Sequence, residues 1–140
     1  LSVRGVSALG DNGLPALSAV SLAVRAGETL GIVGVAGNGQ RELAEVVTGL
    51  RLATSGTILL GSRDVTGKGP AEIARCGVAH IPEDRLATGL VGSMDLSGNA
   101  ILRAYGRPPI ARGPFLAAGA IAAFTDRLIR PGDQAYFDLI

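Results

Sequence analysis

The feature that most constrains the fold is a glycine-rich loop between an apolar run and a helical pattern, in GIVGVAGNGQRE from Gly31 to Glu42. Gly34 and Gly39 have the spacing of the phosphate-binding pattern G-x-x-x-x-G-K-[ST], which follows a buried strand and opens a helix. Glycine is needed there because successive backbone amides must curl round phosphate oxygens, and a side chain would block that approach. The residues predicted to bind phosphate are Gly34, Val35, Ala36, Gly37, Asn38, Gly39, Gln40 and Arg41.

Two positions of this loop depart from the pattern. Gln40 stands where lysine reaches the outer phosphates, and Arg41 stands where a Ser or Thr hydroxyl holds Mg²⁺. Gln40 offers a neutral hydrogen bond, and an arginine has no acceptor for a cation. We therefore predict phosphate binding through the backbone without Mg²⁺-assisted transfer, and no catalytic or metal-binding residue. From the spacing alone, a strand-to-helix turn without a ligand is the alternative.

The pattern of apolar residues around the loop predicts an α/β fold with an antiparallel β portion near its start. The run 29–34 is apolar on both faces, as a central buried strand would be. The lone His80 is expected in a strand, as a hydrogen-bonded rather than a catalytic histidine. The predicted strands are 1–6, 19–24, 29–34 and 77–82, with a hairpin over 55–65; the predicted helices are 40–50, one from Pro70, 93–105 and 115–130.

Composition narrows the class of protein. Apolar residues make up 47% of the chain and charged residues 18%, which indicates a globular protein. The net charge of +1 gives no support for a nucleic-acid partner, and the single Cys76 excludes an internal disulfide. The longest apolar run, from Gly113 to Phe124, is too short for a membrane span and predicts a buried helix. Because the chain opens at Leu1 and its one methionine is Met94, we expect a segment of a longer protein.

Three linked signals carry a family resemblance: AGE leading into the apolar run, GNGQRE at the loop, and PEDR about forty residues later. Together they resemble the second nucleotide-binding cassette of bacterial ABC importers for simple sugars and nucleosides, over nearly the whole chain. The resemblance implies a P-loop NTPase-like α/β fold in which residues 1–130 form the front of an ATP-binding cassette. Residues 131–140 depart from the family and form a divergent or incomplete tail.

The resemblance also implies ligands and partners. It implies ATP as the ligand, a second cassette in the same parent chain and transmembrane permease subunits as partners, and a location on the cytoplasmic face of the inner membrane. Glu83 falls near the glutamine of the Q-loop, which senses Mg²⁺ and the attacking water and contacts the membrane subunit, so the resemblance implies Glu83 as a further nucleotide-binding residue. The stretch from Val6 to Gly13 lacks the aromatic residue that stacks on adenine, so adenine recognition is expected to be weak or different. LSGN, at Leu96 to Asn99, comes too early in the chain to be the cassette signature that it looks like.

Two other functions compete with this interpretation. The fold could have lost nucleotide binding and serve as a scaffold that docks the partner cassette and the membrane subunits. Alternatively, the chain could be an unrelated phosphate-binding α/β protein that shares only the glycine loop. Because the later strands of a cassette are missing, we also expect exposed apolar surface.

Overall fold

The computed structural model describes residues 1–35 and 37–129, so Ala36 and the predicted tail lie outside the described residues. The chain divides into two compact units, one from Leu1 to His80 and one from Ile81 onward. Each unit is described by itself.

The first unit is built on a four-stranded antiparallel sheet with the strand order β2-β1-β3-β4. Its elements are β1 (Ser2–Leu9), β2 (Pro15–Ala23), α1 (Gln40–Thr48), β3 (Ser55–Leu60), β4 (Arg63–Asp64) and α2 (Pro70–Arg75). The predicted first two strands, the hairpin and the two helices of this half are confirmed. The turn predicted from the GDNG sequence joins β1 to β2.

A β-bulge in β1 sets which side chains enter the core. Gly5 adopts a left-handed φ of 57°, and the pairing of β1 with β2 shifts between Val3 and Val6. The extra residue keeps Val3 and Val6 on the same face, where both are fully buried. The rest of the core comes from both helices and the neighbouring strands: Ala8, Leu17, Leu43, Val46, Ile58, Val65 and Ile73.

Local sequence explains where the two helices of this unit begin and end. Gly49 follows α1 with a left-handed φ of 76°, the conformation that glycine adopts most readily at a helix end. Pro70 occupies the first turn of α2, where its missing amide has no helical partner to lose.

Two predicted strands are wrong. Residues 29–35 and 77–82 carry no strand, and among the described residues neither segment pairs with the antiparallel sheet. A strand apolar on both faces is stable only between neighbouring strands that cover both of its edges. Without them the segment is open: Val33 is 98% exposed, and Ile32 is also exposed. His80 is exposed and lies outside any strand, so its predicted setting is wrong as well.

The second unit contains short elements and one longer helix. They are α3 (Arg85–Thr88), α4 (Leu96–Ala100), β5 (Ala111–Arg112), β6 (Phe115–Leu116) and α5 (Ala118–Ile129). The helix predicted over 93–105 is much shorter because Asp95 caps its start, accepting a hydrogen bond from the Gly98 amide, and turns follow Ala100. The helix predicted over 115–130 starts later because residues 115–116 pair with residues 111–112.

The prediction that the run up to Phe124 forms a buried helix is half right. The helix α5 exists, but within its described residues only Thr125 is buried. Large apolar side chains are also exposed elsewhere in both units, as the sequence analysis expects: Leu30, Ile32, Val33, Val35, Leu50 and Leu52 in the first, and Ile81, Leu86, Leu90, Met94, Leu96, Tyr105 and Phe115 in the second. No helix of the described part is long and apolar enough to cross a membrane.

Candidate functional site: the glycine loop and its ion-pair cluster

The glycine loop lies between the open segment 29–35 and the start of α1. Gly37 and Gly39 both adopt a left-handed φ, of 88° and 91°, which bends the chain sharply before the helix. Gly37 is exposed, and a Cβ atom built on it would have no heavy atom within 4 Å. The loop therefore presents bare backbone to solvent at Gly37, as the phosphate-binding prediction requires.

Gly39 has a different environment from Gly37. It is buried, and a Cβ atom at this position would lie 2.7 Å from the carbonyl oxygen of Ala16 and 2.9 Å from Cδ2 of Leu17. Both contacts belong to β2. The second glycine of the motif is therefore required by the packing of the loop on the sheet, independently of any ligand.

Gln40 folds back over the start of the loop. Its Nε2 donates a hydrogen bond to the Val35 carbonyl at 3.2 Å. The same atom would lie 2.2 Å from a Cβ built on Gly34, so the absence of a side chain at Gly34 makes room for the glutamine. The amide of Asn38 also donates to the Val35 carbonyl, at 3.2 Å. The loop is thus closed by its own hydrogen bonds, and two predicted phosphate donors already have a protein acceptor.

Arg41 belongs to an ion-pair cluster that the sequence reasoning missed. Its Nε donates to Glu45 Oε1 at 2.9 Å, and its Nη2 pairs with Asp11 in the turn between β1 and β2. Arg51, which follows α1, pairs with the same two carboxylates and also donates from Nη1 to the Leu9 carbonyl at 2.7 Å. The (i, i+4) spacing of Arg41 and Glu45 could have predicted their ion pair. The ion pairs of Asp11 could not be predicted, since its partners lie thirty and forty residues away in sequence.

Pairing in this cluster moves the pKa values of Asp11, Arg41 and Arg51 in the directions that favour their charged forms. Hydrogen bonds from Arg51, and then from Arg41, lower the pKa of the Asp11 carboxyl below its usual 3.8. The hydrogen bond to Asp11 in turn raises the pKa of each of the two arginines. These shifts keep Asp11 ionised and both arginines protonated across the physiological range.

These contacts decide which ligands the loop can hold. At Arg41 the loop offers Mg²⁺ no oxygen ligand, because a guanidinium has no acceptor and carries a positive charge. Within the described residues, no group of three or more His, Cys, Asp or Glu side chains is placed to bind a metal. A phosphate group fits better, because the first amides of α1 have no intrahelical acceptor and Gly37 leaves the approach open.

Glu83, the remaining predicted site residue, belongs to the second unit. Its side chain is exposed, while the adjacent Asp84 caps α3 by accepting from the amides of Leu86 and Ala87 at 3.1 and 2.9 Å. The PEDR segment is therefore a helix entry on the surface of this unit. Its part in nucleotide binding and its contact with a membrane subunit stay predictions.

Asn99 organises the loop that precedes α4. Its Oδ1 accepts from the Val91 amide at 2.8 Å, and its Nδ2 lies 3.0–3.1 Å from the carbonyls of Val91, Met94 and Asp95. The residues of LSGN form the first turn of α4, and Asn99 has a structural role there. That these residues are not the cassette signature stays a prediction.

Comparison with known proteins identifies the family to which the motifs point. Residues 17–123 match the model of the ABC transporter family. Among curated relatives, the glucose import ATP-binding protein TsgD13 of Haloferax volcanii is 40% identical over 133 residues, which are 95% of this chain and 24% of that protein. The nucleoside import ATP-binding protein NupA of Lactococcus lactis is 36% identical over 133 residues, 95% of this chain and 26% of that protein. The guanosine import ATP-binding protein NupO of Bacillus subtilis is 41% identical over 109 residues, 78% of this chain and 21% of that protein.

The chain spans about a quarter of the length of these relatives. The family match covers all three motifs on which the resemblance rests: AGE, the glycine loop and the PEDR segment. An unrelated phosphate-binding protein is therefore excluded, and the chain belongs to the ABC transporter family.

Proposed function

We propose that this chain is the front part of an ATP-binding cassette that binds ATP through residues 34–41 and does not hydrolyse it by itself. The observation that carries the proposal is the state of the two divergent loop residues. Gln40 is bonded to the Val35 carbonyl, and Arg41 is bonded to two carboxylates. Neither provides what Mg²⁺-assisted phosphoryl transfer needs, whereas the backbone of the loop remains open at Gly37.

ATP binding rests on the backbone of the loop and the start of α1. The open face at Gly37 and the amides of the first helical turn, which have no acceptor within the helix, suit a phosphate oxygen, and the helix dipole adds a favourable field. No aromatic residue stands between Val6 and Gly13 to stack on adenine. The triphosphate, rather than the base, is therefore expected to supply most of the affinity.

The place in a transporter is inferred from the relatives, whose names describe ATP-binding proteins for import of glucose, nucleosides and guanosine. We assign this chain to the second, hydrolytically impaired cassette of such an importer for sugars or nucleosides. Its partners are a consensus cassette in the same parent chain and transmembrane permease subunits, at the cytoplasmic face of the inner membrane. A cassette pair with one impaired site holds one nucleotide as a clamp while the other site hydrolyses.

A scaffold without nucleotide binding is the second candidate. It is favoured by the hydrogen bonds within the loop, because the donors of Gln40 and Asn38 that already bind the Val35 carbonyl are not available to a phosphate. The exposed apolar side chains around PEDR, including Ile81, Leu86 and Leu90, would then serve only to dock a partner.

Titration of the purified chain with a fluorescent ATP analogue, with and without Mg²⁺, separates the two candidates. We expect saturable binding with the same dissociation constant in both conditions, and no phosphate release. Absence of binding by folded chain would favour the scaffold, while binding that requires Mg²⁺ would contradict the proposed loop chemistry.

Gly37→Ala tests whether binding uses the loop. The added methyl group meets open space, so the fold should persist while the amide face is disturbed. Loss of one hydrogen bond to a charged phosphate, about 1.5 kcal/mol, corresponds to roughly tenfold weaker binding. Gly61→Ala is the matched control, since Gly61 also has a left-handed φ and an open Cβ position but lies in the β3–β4 turn. Equal affinities for the two variants would place the nucleotide elsewhere.

A further inference from the structure

Positive charge is concentrated in one stretch of the second unit. Between Asp95 and Asp126 the sequence contains no acidic residue, whereas Arg103, Arg107 and Arg112 all lie there. Arg107 and Arg112 are exposed, and among the residues that the structure describes neither of these two guanidinium groups forms an ion pair. A chain with a net charge of only +1 therefore carries a local surplus of positive charge.

The β5–β6 hairpin places an aromatic ring beside one of these arginines. Arg112 and Phe115 are direct partners across the turn formed by Gly113 and Pro114, and directly opposite side chains share a face with their Cβ atoms about 5 Å apart. Phe115 is 74% exposed. Leu116 is 53% exposed and lies on the other face, because successive side chains of a strand alternate. The tip of the hairpin therefore presents apolar side chains on both of its faces.

The base of the hairpin is held by the rest of the second unit. Ile110, which directly precedes β5, is buried, and its carbonyl accepts a hydrogen bond from the Ala117 amide at 2.9 Å. The Ala111 amide donates to the Arg107 carbonyl at 2.8 Å, which brings the backbone of Arg107 next to the start of β5. Tyr105, two residues before this arginine, is 64% exposed. Charged and aromatic side chains thus surround the base of an apolar tip.

We propose that this hairpin is a contact site for an anionic lipid surface. Arg107 and Arg112 bind the phosphates of the lipid headgroups, while Phe115 and Leu116 enter the boundary between headgroups and acyl chains. Anionic lipids attract arginine side chains close to the surface, and aromatic side chains are favoured at this boundary. The contact is made by the chain itself and requires neither a nucleotide nor a permease subunit.

The apolar side chains on both faces favour a lipid surface over other acidic partners. A nucleic acid or an acidic protein would also attract the two arginines. Either of them, however, would cover one face of the hairpin and leave Phe115 or Leu116 in water. Lipid surrounds an inserted tip on both sides, so both apolar side chains are removed from water together.

Vesicle flotation of the full chain tests the proposal without nucleotide. The chain is mixed with vesicles of pure phosphatidylcholine, or with vesicles of phosphatidylcholine and an equal amount of phosphatidylglycerol. We expect binding to the vesicles that contain phosphatidylglycerol and much weaker binding to the neutral ones. Added sodium chloride should weaken the binding, because salt screens the attraction between arginines and headgroups.

Variants separate the two parts of the contact. Each arginine near an anionic surface accounts for about fivefold in affinity, so the Arg107→Gln, Arg112→Gln double variant should bind roughly thirtyfold more weakly. The Arg107→Lys, Arg112→Lys double variant keeps the charge and should retain most of the affinity. Phe115→Ser should weaken binding by about tenfold, because less apolar surface leaves water.

A matched control removes the same charge elsewhere. Arg4 and Arg25 are exposed in the first unit, so the Arg4→Gln, Arg25→Gln double variant should bind anionic vesicles nearly as the wild type does. Circular dichroism of each variant checks that the fold is retained. All substituted side chains are exposed, so the fold should persist.

Three results would overturn the proposal. The first is a folded wild-type chain that binds neither kind of vesicle, or binds both equally. The second is equal affinity for the two glutamine double variants, which would place the contact outside the hairpin. The third is wild-type affinity of Phe115→Ser together with release from vesicles by heparin, a soluble polyanion, which would indicate a general site for polyanions without lipid insertion. None of these results bears on ATP binding, which is measured without vesicles.

Discussion

Replacing Gly39 by alanine should destabilise the first unit more than the loop motif alone would suggest. The φ of 91° costs an alanine about 1–2 kcal/mol, because its Cβ approaches the carbonyl oxygen in the left-handed region. The new methyl group also meets the Ala16 carbonyl at 2.7 Å and Leu17 at 2.9 Å. Since a backbone atom of β2 must move, the overpacking adds about 1–3 kcal/mol. The free energy of unfolding should fall by about 2–5 kcal/mol.

Gly37→Ala is the matched control because it introduces the same backbone strain as Gly39→Ala but no contact between the new methyl group and β2. Gly37 has a φ of 88°, and its Cβ position is empty. Its free energy of unfolding should therefore fall by only about 1–2 kcal/mol. The difference between the two variants, about 1–3 kcal/mol, measures the packing of the loop against β2.

The assay must report on the first unit, which contains no Phe, Tyr or Trp. The single thiol, Cys76, provides the probe, since it is half-buried beside the core of this unit and its Sγ lies 3.4 Å from the Glu72 carbonyl. Thiol labelling across a urea series gives the unfolding midpoint. With a slope of about 2 kcal/mol per molar, the Gly39→Ala midpoint should fall by roughly 1–2.5 M. Equal midpoints for the Gly39→Ala and Gly37→Ala variants would refute the argument from β2 packing.

Two further predictions concern the polar contacts. Asn99→Ala removes the side chain that joins residues 91–95 to α4, so thermolysin should cleave this loop at least about fivefold faster. The control variant Ser97→Ala should be cleaved at the wild-type rate. Unchanged cleavage of Asn99→Ala would show that other contacts hold the loop. The lowered pKa of Asp11 means that its stabilising effect is complete above about pH 4 and is lost as pH falls through the folded-state value. Urea unfolding by circular dichroism between about pH 2 and pH 5 should therefore show a flatter acid dependence for Asp11→Asn than for the wild type, and parallel curves would contradict the pairing.

The elements that the sequence predicts correctly are those set by neighbouring residues. The bounds of α1 and α2 follow from Gly49 and Pro70, and the hairpin of β3 and β4 follows from an alternating pattern with a glycine turn at Gly61. In each case a residue adopts its preferred backbone conformation at the place where the element changes. Such signals extend over a few residues and need no knowledge of the rest of the chain.

The failed predictions concern segments whose structure depends on a distant partner. The run 29–34 is as apolar as a central strand should be, yet composition cannot create the neighbouring strands that would pair with it. The helix α5 likewise has an apolar sequence but little described surface to pack against. Apolar content predicts which segments would be stabilised by burial, and the strands and helices around a segment determine whether it is buried.

The candidate site also contains features that follow from local sequence and features that depend on distant residues. The sequence predicted the glycine loop and its two divergent residues, because a motif is a local pattern with fixed spacing. It did not predict what those residues do, since the partner of Arg41 is Asp11, thirty residues earlier, and Asp11 is shared with Arg51, forty residues later. A missing lysine and a missing hydroxyl indicate only which chemistry is absent. The ion pairs show how one of these residues is used: the Arg41 guanidinium joins α1 to the turn between β1 and β2 through Asp11.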